Sequence, residues 1–394
     1  MKTQGVSRYQ LLVMAVTAGI CVANIYYNQP ILKDIALSFR ATESEAGLIS
    51  VLTQAGYGLG LFFITPLGDK ISRKKLILLL QASLIVLLLG ITVVTNLNSI
   101  YIMSFLIGVL GVAAQVILPM AAGLDEANRG KNVGIVFTGL LIGVLAARVF
   151  SGYIAEWFGW RYVYGISSVM VLMSAAVFKF SLPGDRPSFK GNYRELIVST
   201  IEQFKRFTLL RRTALLGALV FGAFCSFWTT LTFHMSNPPF NFRTDTIGLF
   251  GLLAIAGALA APAFGKLADK GNPAKSQVIT VCLILLGVLA IKIFPFSLPA
   301  FILAVLLLDV GVQATQVTNV ATIYTLDAKA HSRINTVYMT IYFIGGAIGT
   351  FAGVLCWKLG RWPLVTWQLF AWGMAALLVA MAGYRLLRRM PAVS

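Results

Sequence analysis

The chain has little charge and few of the residues that build metal centres. Only 12% of its 394 residues are charged, and it contains 2 histidines and 4 cysteines. A soluble domain carries about 25% charged residues, so an ordinary water-exposed surface is excluded. The cysteines stand singly in apolar runs without a CxxC spacing, which predicts buried thiols and neither a metal site nor a cofactor. They are Cys21, Cys225, Cys282 and Cys356.

Catalytic clusters and nucleotide-binding loops are also missing. The two histidines, His234 and His331, lie far apart in the sequence. Membrane-embedded enzymes concentrate His, Asp, Glu or Cys near one face, and no such concentration exists here. No Gly-rich phosphate-binding loop is present, which argues against direct use of ATP. These absences predict a protein that is not an enzyme.

Apolar residues make up 58% of the chain, and the mean hydropathy is +0.82. Continuous runs of about 20 apolar residues, enough to cross a hydrocarbon core of about 30 Å, recur along the whole length. They do not alternate as the strands of a barrel do, so we predict an all-α membrane protein of twelve transmembrane helices. The helices are placed at 9–29, 45–66, 75–95, 99–122, 133–155, 162–181, 213–235, 246–265, 276–295, 299–322, 335–357 and 363–385.

The net charge of +18 is explained by membrane orientation rather than by nucleic-acid binding. With these helices, 24 Lys and Arg residues fall on the side that carries the termini and 7 on the other, and Arg148 lies within a helix. Positively charged loops remain in the cytoplasm. We therefore predict a multi-pass protein of the bacterial inner (cytoplasmic) membrane with both termini cytoplasmic.

The two halves of the chain repeat each other. Phe39-Arg40 recurs as Phe242-Arg243, and Asp69-Lys70 recurs as Asp269-Lys270, with offsets of 203 and 200 residues. Such duplication is typical of secondary transporters. It predicts two six-helix bundles with pseudo-two-fold symmetry, at 1–181 and 213–394. Residues 182–212 would be a cytoplasmic linker, with an amphipathic helix from Tyr193 to Phe207 near anionic headgroups.

One loop motif occurs in both halves. Residues 66–75 read PLGDKISRKK and residues 265–271 read GKLADKG. These stretches resemble the loop motif of the major facilitator superfamily, whose fold is two six-helix bundles that rock around a central cavity. The resemblance implies a cytoplasmic gate in which an acidic residue pairs with basic ones, and the residues that match are Asp69, Lys70, Arg73, Lys74, Asp269 and Lys270.

Two charges lie within the apolar spans. Arg148 stands in the fifth predicted helix and Asp309 in the tenth. Each costs about 2.5 to 3.5 kcal/mol at the bilayer centre, so each is expected to face protein or water and to have a partner. The sequence allows a cross-bundle pair that responds to protonation of Asp309, and it equally allows a static pair that fixes helix packing.

Polar side chains accompany these charges. Gln313 and Gln316 share a helical face with Asp309, and Asn319 lies at its edge. In the superfamily, helices one, four, seven and ten line the cavity, so the resemblance implies a substrate contact for several polar residues. Interhelical hydrogen bonding is the alternative for each amide, and interfacial anchoring is the alternative for Tyr27 and Trp228. The candidate cavity residues are Asn24, Tyr27, Asn28, Gln54, Gln115, Trp228, Gln313, Gln316 and Asn319.

The stretches NIYYNQP, GLLIGVLAAR and LDVGVQATQVTN resemble an uncharacterised bacterial branch near the drug/proton antiporters (DHA1-type). Arg148 stands where those exporters carry a proline. The resemblance implies proton-coupled efflux of a small solute, with protons, the solute and the lipid bilayer as partners and a monomeric state. Uptake of a small polar or anionic metabolite is the alternative within transport. A membrane-embedded receptor or structural protein is the alternative from another class.

Overall fold

A computed structural model describes residues 7–124, 128–184, 189, 191–254, 273–327 and 330–389. Every regular element in those ranges is a helix, as the sequence predicts. The helices are α1 (Arg8–Ala23), α2 (Asn28–Phe39), α3 (Glu43–Phe63), α4 (Leu67–Lys70), α5 (Arg73–Thr92), α6 (Leu97–Leu110), α7 (Ala113–Leu124), α8 (Arg129–Phe158), α9 (Trp160–Ser181), α10 (Tyr193–Arg206), α11 (Thr208–Ser236), α12 (described over Thr244–Ala254), α13 (Pro273–Ile293), α14 (Leu298–Ile323) and α15 (His331–Arg389).

The described residues contain 10 helical stretches that are long and apolar enough to cross a membrane. One of them, within α15, bends sharply at Gly360 and Arg361, where Arg361 has a φ of 51°. The kink lies between the predicted helices 335–357 and 363–385, and Pro363 follows in the first turn of the second arm. The predicted eighth helix begins with α12, and the rest of it lies outside the described residues.

The helix starts follow the sequence signals. Thr42 and Glu45 form the predicted capping box of α3, in which Thr42 Oγ1 accepts from the Glu45 amide at 3.2 Å. Glu45 Oε2 in turn accepts from the Thr42 amide at 2.7 Å, so two amides at the helix start are satisfied. Pro299 stands in the first turn of α14, as predicted.

The end of the first helix was predicted wrongly. We expected it to stop near residue 29, but the apolar span runs from Arg8 to Phe39 with an interruption at Asn24–Tyr27. Polar residues do not end a membrane helix when neighbouring helices satisfy them. Here Ser167 donates to Asn24 Oδ1 at 2.8 Å, and Ser50 donates to Asn28 Oδ1 at 2.6 Å.

The chain divides into two compact units. Unit 1 comprises Met1–Ser199 with Arg243–Gly248, and unit 2 comprises Thr200–Phe242 with Leu249–Ser394. The division thus falls inside α10, within the predicted linker 182–212, and again after the first turn of α12.

Both units use the same packing device. In unit 1, a Cβ on Gly143 would lie 2.4 Å from Gly19 Cα, so α1 and α8 touch backbone to backbone. In unit 2, a Cβ on Gly349 would lie 2.2 Å from Gly222 O, so α11 and α15 do the same. Small residues permit such close contact in membrane helices. The shared device supports the internal repeat read from the sequence.

Candidate functional site

Arg148 lies at the centre of unit 1, with 1% of its surface exposed. Its Nε donates to Gln29 Oε1 at 2.9 Å, and its guanidinium lies 5.4 Å from the ring centroid of Tyr26. An arginine keeps its charge at any physiological pH, so these contacts hold a permanent cation within the apolar span. Arg148 therefore joins α8 to the interruption between α1 and α2.

That interruption is a short stretch of tightened turns. The Ile25 amide bonds to Val22 O at 3.0 Å and the Tyr26 amide bonds to Ala23 O at 2.9 Å, both three residues back. A stretch with this spacing inside a longer helix often marks a hinge, and broken membrane helices line the binding sites of many transporters. The break and Arg148 together give unit 1 its candidate site.

The other polar candidates of unit 1 differ in their surroundings. Asn24 and Asn28 hold α1 and α2 against α9 and α3 through the bonds described above. Gln54 and Gln115 are both buried, and Gln115 lies close to the Tyr57 hydroxyl. Tyr27 packs against Phe150 with ring centroids 5.5 Å apart. Gln54, Gln115 and Tyr27 remain predictions as cavity residues.

Asp309 is the corresponding charge of unit 2. It lies on α14 with 1% of its surface exposed. Gln313 and Gln316 follow on the same face, and both are only half-buried. Gln316 Oε1 accepts from the Tyr342 hydroxyl at 3.4 Å, which links α14 to α15. The carboxyl group and the two amides form a polar stripe along α14, as the spacing predicts.

Asn319 lies off this stripe in a packed interface. Its Oδ1 accepts from Gln277 Nε2 at 2.8 Å, and its Nδ2 donates to the Tyr338 hydroxyl at 3.2 Å. Asn319 is fully buried and bonds to three other helices, since its Nδ2 also donates to Thr213 O on α11 at 3.5 Å. Its geometry is that of interhelical hydrogen bonding, the alternative that the sequence left open.

Aromatic rings cluster on α11 and α15 of unit 2, and Tyr342 among them bonds to Gln316 of the polar stripe. Trp228 is buried on α11 with the rings of Phe224 and Phe227 at 6.2 and 6.0 Å. Phe221 stacks on Tyr342 with centroids 4.1 Å apart. The sequence analysis missed Phe221 and Tyr342. For Phe221 the signal was the run of aromatic residues at spacings of three and four on α11, which is equally typical of an ordinary core.

The predicted gate residues of unit 1 lie in α4 and in the first turn of α5, on either side of a short loop. Arg73 Nη2 lies 2.7 Å from Asp69 Oδ1, and both side chains are about one-fifth exposed. Arg73 also donates to Pro119 O at 3.5 Å, and Lys74 donates to Leu182 O. Lys70 is half-buried in the single turn α4. Asp269 and Lys270, the predicted second copy, lie outside the described residues.

A scan against protein-family models matches residues 14–350 to the Major Facilitator Superfamily. The chain belongs to the Major Facilitator Superfamily. It is therefore a multi-pass membrane transporter, and the two buried charges lie in a fold that moves solutes.

Curated relatives of this superfamily member are named as transporters. The chain is similar to the uncharacterized transporter YgaY of Escherichia coli O157:H7, with 37% identity over 381 residues and 95% of each chain covered. It is also similar to the probable transporter SCO4007 of Streptomyces coelicolor, with 28% identity over 87% of this chain and 80% of the relative. Both names describe transporters, and neither name specifies a substrate.

Solved structures show the same superfamily fold. A bacterial homolog of the human lysosomal transporter Spinster matches with a TM-score of 0.73 and 12% identity, over 97% of this chain and 96% of that one. The POT family transporter PepTSo matches with a TM-score of 0.71 and 14% identity, over 98% of each chain. At such identities the likeness establishes the fold alone.

Proposed function

We propose that this superfamily member is a proton-driven carrier that exports a small amphipathic solute across the bacterial inner membrane in exchange for protons. The observation that carries the proposal is a buried ionisable side chain in each unit, Arg148 on α8 and Asp309 on α14. A charge buried in a membrane protein is expensive and is retained chiefly for function. In this proposal the chain crosses the membrane twelve times and forms two six-helix bundles. The bundles rock against each other, so that the cavity opens alternately to each side of the membrane.

The two charges have different roles in the proposed cycle. Arg148 stays charged, so Asp309 is the member that binds and releases the proton. When Asp309 is ionised, Arg148 is its electrostatic partner, and when a proton neutralises Asp309 that attraction disappears. The free-energy difference between the inward-open and outward-open states then changes by the interaction energy of the ion pair. Proton binding is thereby coupled to the motion of the bundles.

The surroundings of Asp309 support an amphipathic solute. Gln313 and Gln316 offer two amides that donate and accept hydrogen bonds, and Phe221, Trp228 and Tyr342 offer aromatic surface nearby in the same unit. Sites for small molecules combine predominantly apolar walls with a few polar groups. A planar or ring-bearing compound with one polar end fits this combination.

Uptake of a small anionic metabolite is the second candidate function. It is favoured by the Arg148 guanidinium, whose donors lie beside the Gln29 amide at a helix interruption. An arginine fork matches a carboxylate or phosphate oxygen pair, and broken helices bind such groups in other transporters. In this version Arg148 contacts the substrate.

The cytoplasmic gate completes the proposal. Asp69, Lys70, Arg73 and Lys74, with Asp269 and Lys270, would latch the cytoplasmic ends of the two bundles and release them when the cavity opens inward. The excess of Lys and Arg on this side supports cytoplasmic termini, and the linker between the bundles would lie along the inner membrane surface. The protein acts as a monomer in this scheme.

The test begins with a panel of drugs and metabolites screened for thermal stabilisation of the purified protein. A compound that raises the melting temperature binds the native state. Proteoliposomes that hold that compound at the same concentration inside and outside are then given an inward proton gradient. Export requires that the compound leave against its gradient while protons enter. Accumulation of an anionic compound driven by the proton gradient would favour uptake, and transport indifferent to the proton gradient would refute proton coupling.

A further inference from the structure

An apolar groove runs along unit 1 between α1 and α9. Its volume is about 330 Å³, and its walls include apolar side chains from both helices. They are Leu12, Val16 and Ile20 on α1 and Met170, Met173 and Val177 on α9. The wall residues of α1 stand four positions apart and therefore form one row along the helix. The groove follows that row for about 12 Å.

The two helices are bonded to each other at both ends of the groove. Deeper in the span, Ser167 donates to Asn24 Oδ1 at 2.8 Å. At the other end, Gln10 Nε2 donates to Ser181 O at 3.0 Å, and the Ser181 hydroxyl donates to the Tyr9 hydroxyl at 3.2 Å. Because both ends are fixed, α1 and α9 cannot close on the groove without breaking these bonds.

Small side chains form the floor of the groove. Thr17 and Ser174 are both buried there. The Ser174 hydroxyl donates to Val171 O at 2.9 Å and accepts from Gln81 Nε2 on α5 at 2.9 Å, so its hydrogen bonds are made within unit 1. The groove thus presents apolar walls to its occupant, and the occupant must be apolar over about 12 Å.

The groove opens on the surface of the apolar spans. Leu12, Val16, Met173 and Val177 are exposed, and they lie within stretches that are long and apolar enough to cross a membrane. Hydrocarbon is the medium in contact with such a surface. Packed helix axes lie about 8–10 Å apart and a helix is about 10–12 Å wide, so a third helix cannot enter between α1 and α9. A single flexible acyl chain can.

Cations stand at one end of the groove. Arg8 lies one turn before Leu12 in the same row of α1, and Lys179 lies in the last turn of α9. Both are exposed, and neither forms an ion pair with another residue of the described ranges. Lys74 also reaches this end, since it donates to Leu182 O just beyond α9. Positive charge is thus available next to an apolar groove.

The surrounding side chains indicate that this end lies at the level of the lipid headgroups. Tyr9 and Phe180 are both exposed, and Lys179 Nζ lies 5.7 Å from the ring centroid of Phe180. Tyrosine rings concentrate at the membrane surface, and lysines extend their charge towards it. The groove begins about one turn further into the span, where the acyl chains of a lipid begin.

We propose that this groove binds one phospholipid with an anionic headgroup. One acyl chain lies between α1 and α9, and the phosphate lies against Arg8, with Lys179 and Lys74 adding positive charge nearby. The predicted orientation places this end of unit 1 at the inner membrane surface, where clustered Lys and Arg residues attract anionic lipids. The bound lipid is separate from the transported solute and takes no part in the proposed proton cycle.

Photocrosslinking to the purified, delipidated full-length protein in detergent tests the proposal. The probe is a phosphatidylglycerol with a diazirine in one acyl chain, and peptide mass spectrometry locates the labelled residues. We expect the label on residues 12–20 and 170–177. Unlabelled phosphatidylglycerol should displace the probe at a concentration at least about tenfold lower than phosphatidylcholine with the same acyl chains, because each nearby cation strengthens binding of an anionic lipid about fivefold.

Charge variants test the role of the cations. R8Q/K179Q should weaken binding of the phosphatidylglycerol probe in the groove roughly twentyfold, the combined effect of two cations. K131Q is the matched control, since Lys131 is an exposed cation at the start of α8 that does not line the groove. It should bind the probe like the wild type. An unchanged preference for phosphatidylglycerol in R8Q/K179Q overturns the proposal.

Steric variants test the role of the groove without changing the charge. Val16→Trp should fill the groove and abolish labelling of residues 170–177. Val177→Trp fills it from the other helix, with the label then lost from residues 12–20, and serves if Val16→Trp fails to fold. Val86→Trp is the matched control, because Val86 is an exposed valine of α5 outside the groove. The melting temperature of each variant in detergent shows whether it is folded.

Other occupants of the groove give distinct results. Labelling that is spread evenly over the exposed residues of α5 and α9, or equal displacement by phosphatidylcholine, would show ordinary contact with bulk lipid and overturn the proposal. Absence of label from the groove, with a dimer that Val16→Trp converts to a monomer, would show that a second copy covers it and would also overturn the proposal. The assay uses neither solute nor proton gradient, so its outcome is separate from that of the transport test.

Discussion

Gly222 and Gly349 meet backbone to backbone, with so little space that a Cβ on Gly349 would lie 2.2 Å from the carbonyl oxygen of Gly222. Gly19 and Gly143 do the same in unit 1. These contacts bring α11 against α15 and α1 against α8. Each unit thus contains a pair of helices that approach backbone to backbone where both have a glycine.

The first prediction concerns this contact in unit 2. Gly349→Val should lower stability by about 1 to 3 kcal/mol, because an added side chain must push α11 and α15 apart. The readout is the melting temperature of the purified protein in detergent. Gly134→Val is the matched control, since a Cβ at Gly134 meets nothing within 4 Å. Equal melting temperatures for the two variants would contradict the packing account.

The second prediction is that the buried His234 stabilises the fold and takes no part in transport. His234 stacks on Trp362 with centroids 4.3 Å apart, and its Nε2 lies 2.8 Å from Pro295 O. His234→Ala should cost about 1 to 3 kcal/mol of stability through the lost ring contact and hydrogen bond. His331→Ala, at the other histidine, should cost less because that side chain is only half-buried.

Transport by the surviving folded fraction distinguishes the two roles of His234. A structural residue predicts that transport per folded molecule is unchanged in His234→Ala and that His234→Phe recovers part of the lost melting temperature. Loss of transport per folded molecule, with the melting temperature unchanged, would place His234 in the mechanism instead.

The third prediction concerns the loop between α4 and α5. Asp69→Asn removes the ion pair with Arg73. In that pair Arg73 Nη2 lies 2.7 Å from Asp69 Oδ1, and both side chains are about one-fifth exposed. Partly exposed pairs contribute about 1 kcal/mol or less, so folding should persist. If this ion pair is part of a gate, the initial rate of transport should fall severalfold, whereas Lys75→Gln in the first turn of α5 should leave it near wild type. Equal transport rates in both variants would contradict a gating role, and these charges would then serve only to orient the protein in the membrane.

Local signals in the sequence predicted local structure well. Thr42 and Glu45 lie three residues apart, and their capping box depends on nothing else in the chain. The helical face shared by Asp309, Gln313 and Gln316 follows from the period of the helix alone. Asp69 and Arg73, which match the family motif, form an ion pair because they are separated by one helical turn, and their role as a cytoplasmic gate stays a prediction.

What the sequence could not provide were partners far apart in the chain. From the sequence Asn24 was expected near the end of a helix. In the structure its amide oxygen accepts from Ser167, which lies 143 residues later in the chain. Asn319 was predicted as a cavity residue, and in the structure its side chain forms hydrogen bonds with Gln277 and Tyr338. Thr244 and Asp34 are separated by 210 residues, and no periodicity in either helix indicates that they meet. Whether a polar side chain binds solute or its neighbours is decided by these distant contacts.

The most direct test of the account is proton-driven transport by Asp309→Asn in proteoliposomes, with Asp327→Asn as the matched control. Asp327 pairs with the exposed Arg206 at 3.1 Å, away from the polar stripe of α14. We predict that Asp309→Asn folds and still exchanges the solute across the membrane without a gradient, but that a proton gradient no longer drives its accumulation. Asp327→Asn should remain coupled. Full proton-driven accumulation by Asp309→Asn would contradict the assignment of Asp309 as the proton site.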